Sequence, residues 1–62
     1  MTEFHSEIRA HARSAMESLR GARESGDDYL ASVREAELEN LARLAAEHGL
    51  RVPELARFAA SA

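Results

Sequence analysis

Residues 21–30 read Gly-Ala-Arg-Glu-Ser-Gly-Asp-Asp-Tyr-Leu, and the parsing of this stretch decides the fold. Two glycines and two consecutive aspartates interrupt a chain otherwise rich in helix formers. Glycine enters the left-handed conformation that closes a helix, and aspartate accepts the amide hydrogens that a helix leaves unbonded at its start. An ending and a beginning are therefore expected in quick succession. Gly21 and Gly26 are the candidates for the closing glycine, and Ser25 and Asp27 for the opening cap. Either choice leaves a link of a few residues, which forces the flanking helices to run antiparallel.

Upstream, residues 3–23 form the first predicted helix, with Thr2 as its cap and Glu3 in its first turn, where the helix dipole favours an acid. Phe4, Ile8, Ala12, Ala15, Met16, Leu19 and Ala22 fall within an arc of roughly 120°, a single apolar face. Downstream, residues 28–48 form the second. Leu30, Val33, Leu41 and Leu44 make its stripe, widened by Leu38, Ala31 and Ala45 on one side and Tyr29 on the other. Together they span roughly 200°, more than one neighbour can cover. Gly49 and Leu50 then end that helix, and Pro53 fits the first position of a short third helix, residues 53–61. Leu55 and Phe58 give it an apolar side on which to dock, which it needs because nine residues are too few to stay helical alone.

The expected fold is all-α: one small domain over residues 1–62, an antiparallel helical hairpin plus a short third helix. In length and architecture it is similar to the repressor-of-primer hairpin, whose two copies close into a four-helix bundle. Thirteen of the 28 hydrophobic residues are alanine, so the core is thin, and cysteine is absent, which removes disulfides and thiolate zinc sites. A second copy of the chain is the expected support. Leu30, Val33, Leu38, Leu41 and Leu44 are the candidate interface, with Phe4, Ile8, Leu19, Leu55 and Phe58 completing the core.

Charge narrows the function classes. Eight arginines, no lysine and eleven acids give a net charge of −3. The acidity is concentrated in residues 25–40, where Arg34 faces five acids. Such a balance exerts no general pull on nucleic acid or anionic lipid. The longest charge-free runs are five residues, so no membrane span is expected, and the N-terminal stretch lacks the apolar core of a secretory signal. A cytoplasmic setting is the expectation. Arginine in place of lysine, with abundant alanine, is the usage expected of a GC-rich bacterial genome.

Three constellations carry chemistry. Leu44, Ala45, Gly49, Leu50, Leu55 and Phe58, within residues 41–60, resemble the helix-turn-helix of DNA-binding regulators. That resemblance implies a recognition helix whose contacts to nucleic acid would come from Arg51 and Arg57. A glycine-capped helix followed by a docked short one produces the same letters, and this simpler reading is placed first. Arg9, Arg13 and Arg20 align on the first helix, where Arg13–Glu17, Glu17–Arg20 and Arg20–Glu24 have the spacing of local ion pairs.

Glu37 is the third. It falls between Leu30, Val33, Leu41 and Leu44, where an unpaired carboxylate would carry a heavy desolvation cost. In a hairpin whose facing residue numbers sum to about 51 it lies near His11, within a chain or across a dimer, and a buried Glu37–His11 pair would fix the register as single polar residues do in coiled coils, or act as a metal ligand or pH switch. The simpler alternative is that Glu37 sits at a gap in the bundle and reaches out to water. His5, His11 and His48 do not have the spacing of a metal site, and no phosphate loop or nucleophile elbow is present. No cofactor, metal or catalytic residue is therefore expected. The sequence reading is a non-enzymatic helical interaction module that self-associates, with DNA binding by residues 41–60 as the alternative.

Overall fold

The computed structural model describes residues 3–59. They form two long helices, α1 (Glu3–Ser25) and α2 (Asp28–Glu47), then a 3-10 turn (Pro53–Leu55) that runs directly into the short helix α3 (Ala56–Ala59). No strand occurs among the described residues. Thr2, the expected first cap, and Ser61, the expected end of the third helix, lie outside them.

The link between the long helices is the shortest that the sequence allows. Gly26 has φ 75°, and α1 closes on it with paired bonds: the Gly26 amide donates to the Arg23 carbonyl (3.2 Å) and the Asp27 amide to the Ala22 carbonyl (2.8 Å). This is the Schellman pattern. Asp27 then opens α2, its Oδ1 accepting from the Leu30 amide at 3.0 Å. One residue ends the first helix's closing motif and begins the next helix. Ser25, the other candidate cap, belongs to α1 and turns its hydroxyl back to the Ala22 carbonyl. Gly21 sits inside α1. Gly49, at φ 67°, repeats the motif at the end of α2, with the Gly49 amide bonded to the Ala46 carbonyl and the Leu50 amide to the Ala45 carbonyl.

The core lies where α1, α2 and the 52–55 segment meet. From α1 it takes Ile8, Ala12, Ala15, Leu19 and Ala22; from α2, Leu38, Leu41, Ala42 and Ala45; and beyond them Val52 and Leu55. Five of these are alanines, whose single methyl lets the long helices approach closely. Leu50 and Phe58 pack half-buried against this cluster. The molecule is a thin slab, 36 × 23 × 14 Å.

The sequence centres the inward face of α2 on Glu37; the structure does not. The buried residues Leu38, Leu41, Ala42 and Ala45 centre roughly 90° away around the helix. Leu38 and Leu41, expected at an interface between copies, close the core within the chain, Leu38 with no exposed surface at all. Phe4, expected in the core, is 36% exposed, while Val33 is 38% and Tyr29 80% exposed. The rotation has a physical reason. Docking of the C-terminal segment draws Ala42 and Ala45 inward, and turning Glu37 to the rim avoids desolvating its carboxylate.

The two kinds of glycine predict opposite responses to one substitution. Gly21 is helical with open space where a Cβ would go, so Gly21→Ala should stabilise by about 0.5–1 kcal/mol. Gly26→Ala forces a side chain into the left-handed region and should destabilise by about 1–2 kcal/mol. Thermal melts of the two variants should move in opposite directions from that of the parent.

Candidate association surface

Three side chains lie on the flank of α2 away from its buried face: Leu30, half-buried; Leu44, half-buried and packed against the edge of the core; and the more exposed Val33. By helical spacing they share one strip with Glu37. At the far end of the strip, where α1 begins beside the end of α2, Phe4 stacks tilted against the His48 ring with centroids 4.7 Å apart. An apolar strip thus follows the flank of α2, with Val33 its exposed member and Leu30 and Leu44 only partly covered by the rest of the described chain.

A polar chain crosses the middle of this band. His11 Nε2 donates to Glu37 Oε2 at 2.8 Å, and Arg34 donates to Glu37 Oε1 at 3.2 Å and, through Nε, to Ser18 Oγ at 2.9 Å. Both oxygens of the odd carboxylate are satisfied, and two of the links run from α1 to α2. The pair is not buried, however. The Glu37 side chain is 30% exposed and that of His11 54%, so water and Arg34 share the solvation of the charge. The desolvation problem posed by the sequence is met by position at the rim as well as by pairing. Arg34 and Ser18 were not singled out in the sequence, because nothing in the local spacing says which residues of a second helix will face them.

The opposite flank of α1 holds a second set of ion pairs. Arg9 and Arg13 both reach Glu54 Oε2, at 3.4 and 3.5 Å, and tie the C-terminal segment to α1. Arg23 pairs with Glu35 across the hairpin, and Arg43 with Glu47 along α2. None of the three local pairs expected along α1 closes among the described residues. Arg13 prefers the partner on another element, and Arg20 closes no ion pair. His5 Nε2 donates to the Arg51 carbonyl at 3.1 Å, which fastens the turn after α2 to the start of α1. Arg57 lies over the Phe58 ring at 4.8 Å.

This placement bears on the DNA-binding resemblance. The turn has the expected glycine geometry, and Leu55 is buried as a seated recognition helix requires. Glu54, at the start of that segment, is committed to α1, which leaves Arg51 and Arg57 as its exposed cations. Among the described residues no three histidines, aspartates or glutamates come together to hold a metal ion, and no helix is long and apolar enough to cross a membrane. No protein-family model, curated protein or solved structure matches the chain. The surfaces are therefore read from their own chemistry.

Glu54 predicts a pH effect. The hydrogen bond from its own backbone amide holds the carboxyl below the ordinary glutamate range, and the charges of Arg9 and Arg13 act in the same direction against the cost of burial. A depressed folded-state value stabilises the fold above the ordinary value, and that contribution is lost as pH falls through the folded-state value. Glu54→Gln should therefore melt lower than the parent at neutral pH, and the gap should shrink as the solution is acidified through and below the glutamate range. A gap that stays constant with pH would mean that the Glu54 charge contributes nothing.

Proposed function

We propose that the chain is a non-enzymatic, self-associating helical module, in which two copies pair through the flank of α2 to give a four-helix bundle. The observation that carries this reading is the partly exposed strip of Leu30, Val33, Leu44 and Phe4, in which Val33 and Phe4 are exposed and Leu30 and Leu44 half-buried, left over after Leu38 and Leu41 have been taken into the core. A thin slab whose core is nearly half alanine gains from covering these side chains, each worth about 1.5–3 kcal/mol when fully buried and less from a half-buried start. The strip is self-complementary in chemistry, apolar on either side of one polar chain. A two-fold pairing would set His11, Arg34 and Glu37 of each copy near the middle, where they would specify register in the manner of single polar residues in coiled coils. The expected setting is cytoplasmic.

DNA binding by residues 41–60 is the competing reading, supported by the glycine turn and the buried Leu55. A mobility-shift assay on mixed duplex DNA at low salt separates the two: retardation supports the regulator, and free migration of the DNA supports the packing module.

Val33→Glu tests the preferred reading directly. Val33 is exposed enough for the chain to stay folded, but in a pair the carboxylate would be desolvated, costing upwards of about 2 kcal/mol, or roughly 30-fold in dissociation constant. Light scattering on the eluting parent should give twice the 6.8 kDa of one chain, and on Val33→Glu a value falling toward one chain at the same concentration. Equal masses for the two proteins would remove the α2 flank as the interface.

A further inference from the structure

The seam along the flank of α2 is complementary to its own reverse. Leu30, Val33, Glu37, Asn40, Leu44 and Glu47 recur at alternating steps of three and four residues, the spacing by which one helix presents a continuous seam to another. Val33, Asn40 and Glu47 are exposed and the other three half-buried. The polar residues Glu37 and Asn40 stand in the middle, with Val33 on one side of them and Leu44 on the other. Turned end over end, the row sets Val33 in the place of Leu44, Glu37 in that of Asn40 and Leu30 in that of Glu47.

The two central residues also have matching capacity to spare. Asn40 Oδ1 accepts from Arg43, and an arginine can only donate, so the amide nitrogen Nδ2 is the free end of this side chain. It makes no hydrogen bond among the described residues. Glu37 takes one bond at each oxygen, from His11 and from Arg34, whereas a carboxylate offers about four lone-pair sites.

We propose that two copies pair with their α2 helices antiparallel and the two-fold axis between Glu37 and Asn40, so that the Asn40 amide of each copy donates to the Glu37 carboxylate of the other. The inference rests on the pairing of copies through this flank and adds its direction and register. Val33 then packs on Leu44 of the second copy. The stem of Glu47 lies over Leu30 of the second copy, while its carboxylate stays with Arg43. Each contact occurs twice by symmetry. A parallel pair would instead set each residue against its own copy. Glu37 would face Glu37, two like charges brought together as water is removed, and the Asn40 donors would gain no carboxylate. The antiparallel pair turns the same residues into two charge-assisted hydrogen bonds. Asn40 is thereby the residue that sets direction.

Disulfide trapping reads that direction, because the chain has no cysteine of its own. Val33→Cys and Leu44→Cys chains are mixed in equal amounts in a glutathione redox buffer, and mass spectrometry separates mixed from like pairs. In the antiparallel register the two copies of position 33 lie eleven residues apart along the seam, about 16 Å, well beyond the roughly 7 Å between Cα atoms that a disulfide spans. Positions 33 and 44 face each other. The mixture should therefore give the mixed disulfide, and either variant alone should give little. Asn40→Asp supplies a second readout. It keeps the size and the exposed position of the side chain but sets a carboxylate against Glu37 of the second copy, so the dissociation constant should rise roughly tenfold, with helicity unchanged by circular dichroism. Like-pair disulfides in either variant alone would overturn the proposal in favour of a parallel pair. A mixture without the mixed disulfide, or an Asn40→Asp chain that pairs as tightly as the parent, would overturn this register while the parent's dimeric mass kept the pairing itself in place. A parent with the mass of one chain would remove the pairing, and this inference with it.

Discussion

Everything in this molecule depends on the double use of Asp27. Its backbone amide completes the closing motif of α1 by bonding to the Ala22 carbonyl, and its side chain opens α2 by accepting from the Leu30 amide. Two helices whose ends share a residue have little freedom in how they leave the corner. Gly26 supplies the one left-handed step that makes this geometry cheap. The antiparallel course of the hairpin follows from these few bonds, and so does the alignment that brings Ser18 to Arg34 and His11 to Glu37.

With the corner set, packing is decided by small side chains. Ala12 and Ala15 on α1 share one cluster with Leu38, Ala42 and Ala45 on α2, a surface that rewards close approach but offers little bulk. The C-terminal segment then adds Val52 and Leu55, and Arg9 and Arg13 hold it by Glu54. Its arrival on one flank selects which part of α2's wide apolar face turns inward. The other flank keeps Val33 exposed and Leu30 and Leu44 half-buried. The partly exposed strip is thus a consequence of where the short segment docks, not an independent feature.

Much of this was legible from residue order alone. Caps and closing glycines act over three or four residues, so Gly26, Asp27, Gly49 and Pro53 announced the elements, and the apolar arc of α1 announced its buried face. What local patterns do not encode is how a helix is rotated when it has two neighbours. The arc of α2 is too wide to point in one direction, so the sequence does not separate Leu38 and Leu41, which the core takes, from Val33, which it leaves exposed, and it places Phe4 in the core when it lies at the edge. The proximity of His11 to Glu37 was readable because a hairpin this short has a nearly fixed register. Whether the pair is buried or reaches water stays open in the sequence, since it depends on the same rotation. The bridge from Arg9 and Arg13 to Glu54 spans 45 and 41 residues of sequence, a separation at which spacing carries no signal.

The central claim is that the hairpin's geometry leaves an apolar flank that a second copy covers, so folding and association are linked. Linkage makes stability depend on concentration, because a partner that binds only the folded chain shifts the equilibrium by mass action. The most direct measurement is the thermal melt of the unaltered protein, followed by circular dichroism over a wide range of protein concentration. A midpoint that climbs steadily as the protein is concentrated is the result this account predicts. A midpoint that does not move with concentration, in a solution whose mass is that of one chain throughout, would contradict it.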